Sequence, residues 1–356
     1  MSGDIAMNLM AEKINHCLAA DPTEPSLWVV DENISAAAMA SVSAAANLTV
    51  LTNRCDSAQA LEQRGFKLQL SDFDFSSFEP QSFAHIFYRV SKEKPIVHHV
   101  INQAAQYLRP QGYLHISGYK NEGAKTYSDK AVKYLGSLAS KLLGGKTAMI
   151  SDIVCDDVDD SRRLDDKNYS VLQQPVAAGD IRFTSKPGVF GWNKIDRGSE
   201  FLIAHLPEVL ATITTEIKRV ADLGCGYGYL SVMASQQLNQ ATFYAVDNNV
   251  AAVTCCQQNF IQHKIAGEVS LDSCGSQLSP GFDFLLCNPP FHQGFDVESG
   301  LTDKFVQSVS RLLNKGGHGF FVVNAFIPLE RKAKGLFESV TMVANNQSFK
   351  LLLFKK

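Results

Sequence analysis

The sequence predicts an α/β protein of two tandem domains, each built on a mostly parallel sheet, the second a duplicate of the first. Three observations lead there. Short apolar runs that end in polar residues alternate with helical stretches, the order that builds a parallel sheet with right-handed crossovers. A chain of 356 residues has the length of about two domains. One series of segments also occurs twice: AHIFY, a helix, LRPQG and YLHIS in the first half are matched by FLLC-NPPF, a helix, LNKGG and GFFVV in the second.

Composition narrows the class. A hydrophobic fraction of 45% suffices for two cores. The net charge of -3 gives no general electrostatic grip on nucleic acid, so any such grip has to be local. The cysteines (Cys17, Cys55, Cys155, Cys225, Cys255, Cys256, Cys274 and Cys287) show no CxxC spacing and several sit in apolar segments. Reduced, buried thiols of a cytoplasmic protein are therefore expected, with no disulfide and no metal site. The first residues carry early acids and lack the apolar core of a signal peptide. No uncharged apolar run approaches membrane-spanning length.

The first half, residues 1–175, reads as a helix over 5–19, a strand over 26–30, an Ala-rich helix over 36–46, and strands over 48–51 and 84–88. A helix over 96–108 and a strand over 113–117 follow. The first strand exits through Asp31-Glu32-Asn33 with no glycine loop, so nothing lets a cofactor approach the backbone there. Lysines 120, 125, 130, 133, 141 and 146 face only Glu122 and Asp129 in the same window, which fits a solvated helix face or a phosphate-contacting patch for RNA, with Lys92 and Lys94 as possible members. Residues 152–166 are acid-rich and read as a surface segment. Residues 173–180, with Pro175 and Gly179, mark the domain boundary.

The second half, 176–356, opens with a hairpin or lid over 181–190, turning at Pro187-Gly188, and a helix over 200–210. Then RVADLGCGYGYL, 219–230, gives a strand, a glycine loop and the start of a helix over 229–238. Gly224, Gly226 and Gly228 permit a tight turn and close approach of backbone to ligand. A dinucleotide fingerprint would put glycine at 229, where Tyr229 stands. Asp222 opens the loop; an acid there repels a pyrophosphate and receives an ammonium. An amino-acid moiety is the better ligand.

Each following strand also ends in a polar residue. The strand over 242–246 ends in Asp247, suited to two ribose hydroxyls. The strand over 269–271 ends in Asp272, an acceptor for an adenine amine or an ordinary turn acid. The buried run 282–287 stops at Asn288-Pro289-Pro290-Phe291. A residue before proline is held extended, and two prolines stiffen the exit. The Asn288 side-chain carbonyl and the Pro289 backbone carbonyl can together accept both hydrogens of a planar exocyclic amine, and Phe291 can stack on its ring. The bland reading of the corner is a proline-rich turn. A helix over 302–313, a strand over 319–323 and an antiparallel pair over 337–344 and 348–354 close the domain.

DLGCGYGYL, Asp247 and NPPF resemble the class I S-adenosylmethionine-dependent methyltransferases. KPGVFGWNKIDRGSEFLIAHLP, DLGCGYGYLSVMAS, NPPFHQG and VVNAF are further similar to the bacterial ribosomal RNA guanine-N2 methyltransferases, over about 186–326. The resemblance implies two Rossmann-like methyltransferase domains with seven-stranded sheets, the N-terminal copy without cofactor. It implies S-adenosyl-L-methionine held by Asp222, Gly224, Gly226, Gly228, Asp247, Asp272 and Asn288. It assigns catalysis to Asn288, Pro289 and Phe291, and contact with the target base to Pro290, Phe291 and Phe190, with Asp196 to Ser199 nearby. His292 is not needed as a base. The partner expected is ribosomal RNA, of the small subunit by the look of IDRGS and NPPFHQG, met free or in the assembled 30S particle by a monomeric enzyme. Rivals are the same chemistry on large-subunit RNA, on adenine N6 or on a glutamine amide, a nicotinamide oxidoreductase, and a non-catalytic RNA-binding factor. Tyr227, Tyr229 and Asn248-Asn249 depart from the family pattern away from the expected chemistry.

Overall fold

The computed structural model describes residues 3–290 and 299–356, and divides into two compact units, one ending at Val171 and one beginning at Leu172. In the first, helix α1 (Ile5–Ala20) leads into strand β1 (Ser26–Val30), α2 (Ala36–Met39), β2 (Leu48–Thr52), α3 (Cys55–Glu62), β3 (Lys67–Leu70) and β4 (Phe83–Arg89). Helix α4 (Lys94–Tyr107), β5 (Leu108–Tyr119), α5 (Ala124–Leu135), β6 (Gly136–Gly144) and β7 (Ala148–Cys155) complete it. The seven strands run in the order β3-β2-β1-β4-β5-β7-β6. The first five pair in parallel; β7 is antiparallel to both of its neighbours.

The second unit starts with an antiparallel pair, β8 (Gln173–Ala178) and β9 (Ile181–Ser185). Then come α6 (Arg197–Thr212), β10 (Arg219–Leu223), α7 (Tyr229–Ser235), β11 (Thr242–Asp247), α8 (Val250–Gln262), β12 (Gly267–Leu271) and β13 (Phe282–Cys287). The chain ends with α9 (Ser299–Leu312), β14 (Leu313–Asn324), α10 (Leu329–Lys332), β15 (Ser339–Asn345) and β16 (Phe349–Lys355). The order β12-β11-β10-β13-β14-β16-β15 repeats that of the first sheet strand for strand.

Strand alternation explains the layering. On β1, Leu27 and Val29 pack with α4 residues Val97, Val100 and Ile101, while Trp28 and Val30 pack on the opposite face with α1 residues Met10 and Ile14. In the second sheet Val220, Phe284 and Leu286 meet α6 and α8 through Leu206, Val209 and Phe260. Ala221, Leu285 and Cys287 meet α9 through Phe305, Val306 and Val309. Both faces of each sheet are covered, so its central strands read as unbroken apolar runs.

Several sequence expectations need correction. The Ala-rich stretch forms only one helical turn, α2. The Arg64 guanidinium takes the Met39 and Val42 carbonyls, and Asn15 bonds Ser41 and Ser43, so tertiary partners claim the backbone groups a longer helix would use. Residues 152–155 are not surface: they lie in β7, where Asp152 is 6% exposed and bonded to His115 and Lys13. The lysine-rich window is part helix and part strand, since Lys141 lies on β6. Residues 173–178 form a strand, and the hairpin turns after Ala178, ahead of Pro187-Gly188. Helix α7 stops at Ser235. Elements α3, β3, α8 and α10 are additional to those expected from the sequence. Among the described residues no helix is long and apolar enough to cross a membrane.

At the end of β4 the guanidinium of Arg89, 2% exposed, bonds both Glu122 carboxylate oxygens at 2.6 and 2.8 Å and Asp4 at 3.0 Å. Glu122 also accepts the Tyr119 N–H. Asp4 still faces the guanidinium when the Glu122 charge is removed, so Glu122→Gln should destabilise the protein by about 1–3 kcal/mol, less than a fully broken buried pair. Urea unfolding of the variant against the parent measures it.

Candidate active site

Strands β12, β11, β10 and β13 lie side by side in parallel, with Leu223 level with Val246 and with Cys287, and Asp247 level with Leu271. Their carboxyl ends therefore form one edge. Asp247, Asp272 and Asn288 stand along it at strand ends, and Asp222 is the penultimate residue of β10.

The glycine loop is tied down onto that edge. The N–H groups of Gly224 and Cys225 donate to the Val246 carbonyl at 2.8 and 3.0 Å, and the Gly226 N–H donates to Asp247 Oδ2 at 3.0 Å. The other Asp247 oxygen accepts from the Asn249 N–H. Gly228 has φ +88, and a Cβ there would lie 2.8 Å from Cys256 Sγ, so only glycine fits between the loop and α8. Gly226 has φ +55 and nothing within 4 Å of where a Cβ would stand. Its backbone is the open stretch that a ligand can reach.

Asp222 lies under the loop, fully buried. Oδ2 accepts from the Ser231 N–H and hydroxyl of α7 at 3.2 and 2.7 Å, while Oδ1 has no partner. Burial, with the Asp247 charge adding to it, pushes its carboxyl up to about 7. The Ser231 amide in the first turn of α7 is thus spent on Asp222. Asp272, 4% exposed, accepts from Ser276 Oγ at 2.6 Å and the Gln277 N–H at 2.9 Å. Each oxygen takes one bond from its own turn and keeps a further lone pair, so these bonds fit both readings.

At the proline corner Asn288 is held by bonds that the sequence does not state. Asn288 is partly buried, Pro289 buried and Pro290 exposed. The Asn288 Nδ2 donates to Asp196 Oδ2 and to Ser199 Oγ, each at 2.9 Å. A carboxylate only accepts, so the amide cannot flip, and Oδ1 is the atom left to receive a donor. Asp196 also caps α6 by accepting the Ser199 N–H at 2.8 Å, so one carboxylate holds both the helix start and the amide. Phe291 and His292 lie outside the described residues. Phe190 is 73% exposed, a ring packed on little of its own domain.

Residues 188–199 form a rim along this edge. The Asn249 amide donates to the Gly188 carbonyl at 3.3 Å beside β11; Asp196 and Ser199 hold Asn288 after β13. Behind it the fully buried Asn259 of α8 accepts the Thr184 N–H and donates to the Thr184 and Tyr227 carbonyls, tying β9 to the glycine loop. Sequence reasoning missed Asn249 and Asn259. An asparagine at a helix start is a recognised cap signal; one inside α8 gives none.

The unpaired Asp222 oxygen, the open Gly226 backbone and the fixed Asn288 carbonyl suit a small ligand that carries an ammonium group next to an amine-bearing substrate. S-adenosyl-L-methionine meets that description of the donor set.

Comparison with known proteins agrees. Residues 180–353 match the Methyltransferase small domain family. The "Ribosomal RNA small subunit methyltransferase C" of Shewanella loihica is 25% identical over 332 residues, 87% of this chain and 94% of its own length. The "Ribosomal RNA large subunit methyltransferase G" of Shewanella halifaxensis is 26% identical over 361 residues, 96% of this chain and 82% of its own length. Among solved structures, the "T. Thermophilus 16S rRNA N2 G1207 methyltransferase (RsmC) in complex with AdoMet and Guanosine" superposes with a TM-score of 0.81 at 20% identity, over 99% of this chain and 92% of that one. At that identity it speaks for the two-domain fold alone.

Two outcomes test the site. Asp196→Ala frees the Asn288 amide to rotate; kcat for methyl transfer should fall roughly 10²-fold, with the donor's dissociation constant nearly unchanged. Asp222 has to ionise to receive an ammonium, so donor affinity should weaken as pH falls below about 7, by up to about tenfold per unit. Calorimetric titrations between pH 5.5 and 7.5 read the slope, which Asp222→Asn should flatten.

Proposed function

We infer that the chain is a class I S-adenosylmethionine-dependent methyltransferase, and from that premise we propose that it methylates the exocyclic N2 of a guanine in ribosomal RNA. The observation that carries the reading is the Asn288 carboxamide, whose N–H groups are spent on Asp196 and Ser199 so that its oxygen is turned out as an acceptor. The names of the aligned relatives support RNA as the substrate class.

The residues act by positioning. The Asn288 and Pro289 oxygens accept the two hydrogens of the amine, which fixes the nitrogen and aims its lone pair. Phe291 and the exposed Phe190 offer rings on which an unstacked base can lie. S-adenosylmethionine, held by the Gly224–Gly228 loop and Asp222, would supply an electrophilic methyl carbon on a positively charged sulfur. Asn288 and Pro289 would present the amine nitrogen to that carbon, and the proton the nitrogen sheds would leave to water. No general base is required, and the gain comes from alignment.

We prefer small-subunit RNA, on the IDRGS and NPPFHQG motifs. Large-subunit RNA is the second reading, favoured by a large-subunit relative that aligns with 96% of this chain. The N-terminal unit, without a glycine loop, contributes RNA shape and phosphate contacts through its lysines.

Incubation with labelled donor and naked 16S RNA, naked 23S RNA, 30S and 50S particles and a release factor should give N2-methylguanosine from 16S RNA or 30S particles. Label in N6-methyladenosine or methylglutamine would reject the guanine assignment, and label in 23S RNA alone would move it to the large subunit. Asn288→Ala should lower turnover by about 10²-fold or more while donor binding persists.

A further inference from the structure

The first unit carries a side-chain cluster that the methyl-transfer site does not use. Helix α1 packs on the face of the sheet formed by β4, β5 and β7. Along those strands His115 is level with Phe87 and with Asp152, and His85 is level with Tyr113, so His85 and His115 are diagonal neighbours on one face. His85 Nδ1 lies 3.0 Å from His115 Nε2. The Cys17 Sγ of α1 and one nitrogen of each histidine all lie within 4.8 Å of one another.

The protonation pattern follows from the bonds. His115 Nδ1 faces Asp152 Oδ1 at 2.7 Å, and a carboxylate only accepts, so the proton is on Nδ1 and the Nε2 lone pair points at His85. Lys13 and Ser140 hold the other Asp152 oxygen, so Asp152 orients and is not itself free to turn inward. A histidine that presents one nitrogen to a site and donates the other N–H to an anchored carboxylate is the usual arrangement behind a metal-bound imidazole.

We propose that Cys17 Sγ, His85 Nδ1 and His115 Nε2 form a binding site for a borderline-soft transition-metal ion of the zinc class, oriented from behind by Asp152. Two nitrogens on one tetrahedral zinc stand about 3.3 Å apart, and sulfur and nitrogen about 3.6 Å apart. The nitrogens need to open by a few tenths of an ångström and the thiol to close in by a rotamer adjustment. The ion replaces the proton between the two rings. Cys17 gives its proton to solvent, and the His85 proton shifts from Nδ1 to Nε2. One proton is released per ion bound. Three protein ligands leave a fourth position for water. The residues come from a helix and two strands, with 30 positions between the histidines alone, so no sequence spacing announces them. The site is independent of the proposed RNA substrate.

The full chain, stripped with a chelator, is titrated with cobalt(II) and with zinc. One cobalt per chain with a thiolate-to-cobalt absorption band is expected. X-ray absorption of the zinc form should report one sulfur and two imidazole ligands, a readout that needs no variant. Cys17→Ala and His85→Ala, both at half-buried positions, should abolish the one-sulfur, two-imidazole signature and weaken binding at least tenfold; Asp152→Asn should weaken it by about 10–100-fold. Absence of stoichiometric binding, or binding unchanged in Cys17→Ala, overturns the proposal, the latter by placing the ion on another cysteine.

Discussion

A single carboxylate, Asp196, governs the corner where chemistry is proposed. It caps α6 through the Ser199 N–H and holds the Asn288 amide through the same oxygen, with Ser199 Oγ taking a second bond from that amide. An unrestrained asparagine presents donor and acceptor with equal ease. With its N–H groups committed, Asn288 is only an acceptor, and an acceptor is what an amine needs. The order is bought by packing behind the corner: β13 is buried on both faces, so the strand end, and the amide with it, cannot drift.

The two sheets share one strand order, yet their carboxyl edges differ. After β10 the chain turns through three positive-φ glycines and leaves Gly226 open. After β1 it turns through Asp31, whose carboxylate bonds the Asn33 N–H and the buried Tyr88 hydroxyl. Where β13 delivers Asn288, β4 delivers Arg89, locked to Glu122 and Asp4. The first copy holds paired charge at that edge, where the second presents Asn288. Pairing of that kind favours one well-defined arrangement of the chain ends.

The second copy retains the opposite condition at Asp222. One oxygen anchors α7 and the other is buried without a partner, so the carboxyl is held near neutrality in the absence of a cation. Such a group is costly in the free protein, and the proposed ammonium would relieve it, converting a stored penalty into ligand affinity.

The sequence by itself determined the alternation of strands and helices, the repeated unit, the glycine loop and the polar residues at the strand ends. These depend on local periodicity and on what glycine and proline permit, and neighbours in the chain suffice to specify them. Tertiary structure alone decided that 36–46 yields one turn of helix, because Arg64 and Asn15 take its backbone groups. It decided that Asp152 is an interior residue, that Asp272 bonds its own turn through both oxygens, and that Cys17 meets His85 and His115. It also decided which way Asn288 faces. Each of these rests on atoms brought together from distant positions, and a hydrogen bond is specified by where its partner lies in space, which the order of residues along the chain does not state.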